Sequence, residues 1–352
     1  MLYTICSKHH PGVDSHLKNI ESLGLSKHLH IEEISKIPDD ATALIFGVWH
    51  ASYEPLLKYV KKKGIKVGYL WTSSPTETEL HSVIINQHQN DLLYLSSGPE
   101  ETGLKGEISL LNRILEMKQN NEIDFIWFAK KDFTAAFGGD GIFYAPHPVQ
   151  ERTPRMTIPD KNNISLFVPH AIKKNIYSQY LAFMALQRRI PTLRLRTTLP
   201  LQAFPHVTSL GWMPQNVFEQ EINNTSLALH VSLAESFAYG AYEFLARGIP
   251  CLISPTIAQN MNLSLNMDIV VRNVDSVKEI ADRMRFIIES DKSYYKELSD
   301  TLYDAMQKLK EYNNTSIKKI FEKEGICVEE LKEYNNTSIK KIFEKEGICV
   351  QA

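Results

Sequence analysis

Short runs that are apolar on both faces alternate with amphipathic helical stretches along most of this chain, and that alternation limits the fold more than any other feature. TALIFGVW (42–49), KVGYLW (66–71), DLLYLSS (91–97), DFIWFAKK (124–131) and GIFYAPH (141–147) read as strands, with helices at 53–64, stopped by Gly64, and at 105–121. A strand buried on both faces belongs in a parallel sheet, and strand–helix–strand repetition builds one through right-handed crossovers. GGDG (138–141) reads as a turn. PHPVQERTPRMTIPDKNN (146–163), with four prolines and little apolar periodicity, breaks the pattern and is the linker candidate.

The pattern then restarts. Strands are expected at 164–170, 192–197, 206–212, 227–233, 250–254 and 268–273, and helices at 174–189, 214–224 and 276–290, the last capped by Ser276. The expectation is an α/β chain of two Rossmann-like domains, 1–150 and 151–308, with a ligand crevice beyond the carboxyl ends of the strands. A chain of 352 residues, 43% of them hydrophobic, is long enough for two such cores. Its 39 basic and 41 acidic side chains nearly cancel, which argues against nucleic acid as a partner. With neither a signal-peptide pattern nor a long apolar run, a cytoplasmic protein is expected. Cys6, Cys251, Cys327 and Cys349 have no metal-like or disulfide-framework spacing, which suits a reducing compartment.

LKEYNNTSIKKIFEKEGICV occurs at 309–328 and again, letter for letter, at 331–350, which reads as a duplicated helical tail over 309–352 rather than a solenoid. Ile317, Ile320 and Phe321, and Ile339, Ile342 and Phe343 in the second copy, fall at helical spacing. The stripe suits packing on the protein itself; oligomerisation or a peripheral contact with the inner face of a membrane are the other readings.

The densest chemistry follows the strand LALHVSL. In AESFAYGAYEFLARGIP, Glu235 lies in the loop after that strand, Ser236 is placed to cap the next helix, and Glu243 sits about two turns on. The backbone from Phe237 through Ala238 and Tyr239 to Gly240 would present N–H groups at a helix N-terminus, which favours an anion such as a diphosphate, and the glycine would open the approach. Carboxylates at either end can accept hydrogen bonds from sugar hydroxyls.

Residues 206–254, with two glutamates separated by seven residues, a small-residue helix and Gly-Ile-Pro, resemble the C-terminal half of retaining GT-B glycosyltransferases, the family typified by sucrose synthase and bacterial mannosyl- and glucosyltransferases. The resemblance implies that Glu235 contacts the donor sugar, Glu243 the ribose, and the intervening backbone the diphosphate. IKKNIYSQYLAFMALQRRIP (172–191) resembles the family segment in which a basic residue binds the donor phosphates, a role that falls to Lys174 or its neighbour Lys173. Met213, beside Trp212, stands where the family often lines the base pocket. Where the family usually has an arginine this chain has Pro169, with His170 next to it; His50, the pair His9 and His10, and Trp71 are further candidates for the cleft, though Trp71, like Trp49 and Trp127, reads more readily as core.

The implied activity is transfer of a sugar from a nucleotide-sugar donor to a saccharide, lipid-linked saccharide or other hydroxyl acceptor, with retention at the anomeric carbon. No cofactor is expected besides the nucleotide-diphosphate sugar as co-substrate, and no metal, since paired aspartates that would hold an ion against the diphosphate are absent. A nucleotide-sugar 2-epimerase of the same fold and a non-catalytic sugar- or partner-binding relative are the alternatives.

Overall fold

The computed structural model describes residues 1–6, 11–30, 33, 36–37, 41–47, 54–78, 107–155, 157, 161–169, 171–201 and 205–326. These divide into two units, residues 1–150 together with the chain from Tyr312 onward, and Glu151–Glu311. DLLYLSS, His9, His10, Trp49, His50 and His170 lie outside the described residues.

In the first unit β1 (Leu2–Cys6), β2 (Lys27–His30), β3 (Ala43–Phe46), β4 (Lys66–Trp71), β5 (Phe125–Phe128) and β6 (Ile142–Tyr144) form one sheet in the order β2-β1-β3-β4-β5-β6, every pairing parallel. Its helices are α1 (Pro11–Ser22), α2 (Glu54–Lys62), α3 (Glu107–Gln119) and α4 (Lys131–Phe137). The two-residue period of a strand divides the core: Leu44, Phe46, Ile126 and Phe128 belong to one apolar cluster, Ala43, Ile45, Phe125 and Trp127 to the other. Both faces are therefore covered, as the apolar runs require. Trp71 is one consequence. Of its two readings, cleft and core, the core one holds: it is 4% exposed and packs edge-on against Phe133, because a doubly covered strand leaves its indole no open side. Trp127 is fully buried and donates its indole N–H to the Ala145 carbonyl at 2.9 Å.

The second unit repeats the plan. β7 (Asn163–Leu166), β8 (Arg194–Thr197), β9 (Val207–Ser209), β10 (Leu227–His230) and β11 (Cys251–Ile253) form a parallel sheet in the order β11-β10-β7-β8-β9. Helices α5 (Ile176–Gln187), α6 (Gln215–Asn223), α7 (Tyr239–Leu245), α8 (Pro255–Asn260) and α9 (Val277–Glu289) connect them, and α10 (Lys292–Lys323) follows. Ser276 caps α9 as expected, its Oγ accepting from the Glu279 N–H at 3.1 Å. The stretch 268–273 is not a full strand. It joins the sheet through one bridge between Ile253 and Val270, because Val270 turns back to bond the Met267 carbonyl at 3.0 Å and curls the backbone out of the ladder.

The proline-rich stretch is anchored at both ends. Asn19 donates to the Pro148 carbonyl at 3.0 Å and Asn313 to that of His147 at 2.9 Å, while Asn314 bonds both backbone groups of Val149, all within the first unit. Arg155, in the second unit, reaches the Thr225 carbonyl and the Tyr295 hydroxyl.

The first copy of the duplicated segment continues α10 into the first unit. Ile317 and Phe321 are fully buried there, with Ile326 at 1%, and the Phe321 ring stands 5.3 Å from that of Trp127. The second copy lies outside the described residues. Since one copy already fills this place, deletion of residues 329–350, which keeps one complete copy, is expected to change the unfolding free energy by less than about 0.5 kcal/mol. Phe321→Ala in that shortened chain is expected to cost about 3–5 kcal/mol. Urea denaturation of the three proteins checks both.

The first unit also buries two histidines in contact, His16 and His147, with Nδ1 atoms 3.0 Å apart so that one donates to the other. Burial pushes the His16 imidazole down to about 3 and His147 well below its ordinary value. Below about pH 6.5 the unfolded chain therefore takes up protons that the folded chain refuses. Stability is complete above that pH and falls as the medium is acidified toward 3, with His16 alone contributing a slope of about 1.4 kcal/mol per pH unit. Urea titrations between pH 7 and 4 are expected to show this loss, and His16→Leu to flatten it by close to one proton.

Candidate active site

The order of the second sheet selects one place in it. From β7 the chain winds outward through β8 and β9, and from β10 in the opposite direction through β11, so the loops leaving β7 and β10 flank the topological switch point. Those two loops supply Lys174 and Glu235. Lys174 ends the short 3-10 turn Ile172–Lys174, and the Lys173 carbonyl accepts from the Leu233 N–H at 2.8 Å, which ties the two loops together. Gln179, fully buried on α5, locks the arrangement: its amide nitrogen donates to the Lys174 carbonyl at 2.7 Å and its oxygen accepts from the Val231 N–H at 2.8 Å.

Glu235 is 4% exposed and accepts three hydrogen bonds on Oε1, from the Lys174 ammonium, from His230 Nε2 at 3.1 Å and from Ser232 Oγ at 2.9 Å. Its second oxygen has no partner among the described residues. Burial by itself would raise this carboxyl; the Lys174 charge and the His230 hydrogen bond outweigh it and hold the group far below the ordinary carboxylate range. Burial lowers His230 despite the adjacent carboxylate, so its imidazole is neutral at pH 7 and Nε2 carries the hydrogen. The cluster is thus a buried anion with a cation and two neutral donors on one side and an open acceptor on the other.

The helix after this loop is built differently from the expectation. Ser236 does not cap it: α7 starts at Tyr239, and the residue before it, Ala238, sits in the left-handed region at φ +70° with no side-chain cap. A non-glycine residue there costs on the order of 1–2 kcal/mol, a strain the surrounding packing must sustain. Phe237 is 2% exposed and its ring lies 5.0 Å from Tyr239 and 5.9 Å from Tyr242, which fixes the turn from inside. Gly240 also serves a different purpose. A Cβ on it would stand 3.3 Å from His230 Cε1 and 3.8 Å from the Phe167 carbonyl, so the glycine makes room for the buried imidazole.

Glu243 does not join the cluster. It lies on α7, where Arg152 meets both of its oxygens at 2.7 Å in a forked pair and Arg247, one turn on, donates to Oε2 at 2.6 Å. Burial would raise Glu243, and the two guanidiniums, Arg152 before Arg247, bring it below the ordinary value. Oε1 accepts from Arg152 alone and Oε2 from both arginines, so a ribose hydroxyl would have to share these oxygens with the guanidiniums. Met213 is half-buried and Trp212 is 74% exposed in the turn between β9 and α6, both in the second unit.

Three residues of this site are not singled out by the sequence pattern. His230 is the one polar side chain in the otherwise apolar strand LALH, a signal available to inspection. Arg152 sits in the proline-rich stretch, 91 residues from Glu243, and Gln179 is 52 from Val231; nothing local marks either.

No family model and no curated protein sequence matches the chain. Among solved structures it is similar to TarM of S. aureus, at 10% identity over 83% of this chain and 56% of that one, with a TM-score of 0.59. It is also similar to the pneumococcal O-GlcNAc transferase GtfA solved with UDP and GlcNAc, at 11% identity over 80% of this chain and 56% of that one, with a TM-score of 0.55. HepE of Anabaena, solved with UDP and glucose, aligns at 11% identity over 91% of this chain and 99% of that one, with a TM-score of 0.59. The chain spans little more than half the length of TarM and GtfA. At such identities the likeness establishes the fold, two Rossmann-like α/β domains of the GT-B glycosyltransferase type. Among the described residues no helix is long and apolar enough to cross a membrane.

Proposed function

We propose that this protein is a glycosyltransferase that moves a sugar from a nucleotide-diphosphate donor to a hydroxyl acceptor with retention at the anomeric carbon. The observation that carries the reading is the buried Lys174–Glu235 pair, backed by His230, at the switch point of the second sheet. An ammonium offers three donors, and only one is used by Glu235, so Lys174 can hold that carboxylate and a phosphate oxygen together. Glu235 Oε2, which meets no donor among the described residues, would accept from a sugar hydroxyl. That GtfA and HepE were solved with UDP supports a nucleoside diphosphate as the donor class.

In this reaction the bond from the anomeric carbon to the diphosphate oxygen breaks as the acceptor oxygen attacks from the same face, and the departing phosphate takes the acceptor proton. Charge grows on the leaving group, where Lys174 meets it, and fixed donors aimed at developing charge usually supply most of the rate enhancement in such reactions. No protein base is needed. Glu243 has a supporting part here: it holds Arg152 against α7 and so steadies the loop that bears Glu235. A saccharide or lipid-linked saccharide is the proposed acceptor.

The test is a thermal-shift and calorimetry panel of UDP, GDP, ADP, CMP and their common sugar conjugates on the full chain. One diphosphate at a hundred times its dissociation constant should add about 2.7 kcal/mol of stability. Product analysis with the preferred conjugate should then show transfer or donor hydrolysis. Epimerised free donor would replace the transferase reading with an epimerase, and no binding at millimolar concentration would end it.

A further inference from the structure

The first unit brings together three side chains that no step of the proposed reaction uses. Asp14 stands in the first turn of α1, and His28 and His30 lie on the edge strand β2, two apart and hence on the same face. His28 Nε2 is 2.9 Å from Asp14 Oδ1, His30 Nδ1 is 3.8 Å from the same oxygen, and one ligand atom from each residue lies within 4.8 Å of the others. In a tetrahedral zinc site with bonds of about 2.0–2.1 Å the donor atoms stand about 3.4 Å apart, a spacing this trio brackets.

Two further features suit a cation. His30 Nδ1 is buried, too far from Asp14 for a hydrogen bond, and has no other hydrogen-bond partner among the described residues. A buried ring nitrogen in that state is costly unless something fills the space it faces. His28 has its second nitrogen 3.1 Å from the hydroxyl of Thr4, which is fully buried on β1. That is the outer contact that fixes the tautomer of a metal-binding imidazole. With a metal present the His28 hydrogen would move from Nε2 to Nδ1 and be donated to Thr4 Oγ1.

We propose that Asp14, His28 and His30 form a binding site for a zinc-class divalent cation. Two imidazoles and one carboxylate are the donor set of a borderline metal rather than of calcium or magnesium, and three protein ligands leave a coordination position for water or a further ligand. Lys18, one turn along α1, now pairs with Asp14 Oδ2 at 2.7 Å; its side chain is 51% exposed and able to swing out when the metal enters. The site shares no residue with the donor cluster, so its fate is independent of the transferase reading.

The experiment is equilibrium dialysis of the chelator-treated full chain against zinc chloride, followed by titration with cobalt chloride read by its visible absorption. One equivalent of zinc and a four-coordinate cobalt spectrum are expected. Asp14→Asn and His30→Ala should abolish both while circular dichroism is unchanged, and Thr4→Val should weaken binding about tenfold. Lys18→Gln should tighten it about threefold by removing a competing charge, a gain that misfolding cannot imitate. Substoichiometric zinc, or one equivalent that survives both Asp14→Asn and His30→Ala, overturns the site.

Discussion

Lys174→Ala is expected to lower turnover by about 10²–10³-fold, the usual result of removing one preorganised donor to developing charge. The same change should also reduce stability, because Glu235 would be left buried with two neutral donors and no cation in hydrogen-bond contact, only the weaker pull of the Lys173 charge. Removing one member of a buried ion pair costs about 3–5 kcal/mol, and a fold that tolerates this must be shown by denaturation before the kinetic loss is interpreted. A double replacement, Lys174→Met with Glu235→Leu, separates the two effects: it should recover much of the stability, since the uncompensated charge is gone, and none of the activity. If transfer survived in the double variant, the pair would be a structural element alone and the reaction would have to be sought elsewhere. Acid has the same sign of effect. The Glu235 pKa is depressed in the fold, so the stability it contributes is fully present above about pH 4.5 and is lost as the pH falls below that.

The second large effect concerns Glu243. Its replacement by alanine is expected to destabilise the protein by about 3 kcal/mol, since it removes the carboxylate that Arg152 and Arg247 share in a site largely shielded from water, with Glu219, 4.0 Å from Arg247, answering only part of that charge. Arg152→Ala should cost less, because Arg247 still answers the carboxylate. Diphosphate affinity distinguishes this from direct ribose contact. A clamp predicts that Arg152→Ala and Glu243→Ala both weaken donor binding through the loop. A ribose contact predicts that Glu243→Ala weakens it and Arg152→Ala strengthens it, by removing a guanidinium with which the hydroxyls would otherwise share the carboxylate oxygens. Calorimetry with the preferred diphosphate on the two variants decides between them.

Much of the architecture could be read from the residues themselves. A run such as TALIFGVW can satisfy both of its apolar faces only inside a doubly covered parallel sheet, and Ser276 just ahead of the amphipathic run 277–290 marks a helix start, so the two alternating halves and most of their elements follow from local pattern. Glu235 was singled out because it lies in the loop after a buried strand, where an α/β fold gathers its ligand groups, and Lys174 because residues 172–191 resemble a family segment that carries a phosphate-binding basic residue. What the sequence did not carry is who meets whom. Lys174 and Glu235 are 61 residues apart, Arg152 and Glu243 91, and their pairing depends on the order in which strands enter the sheet. The same dependence turned Gly240 toward an imidazole and set two histidines of one edge strand against an aspartate of the first helix. Periodicity and caps are properties of neighbours along the chain, whereas charge pairing, burial and ligand geometry are properties of neighbours in space, and only the folded sheet determines those.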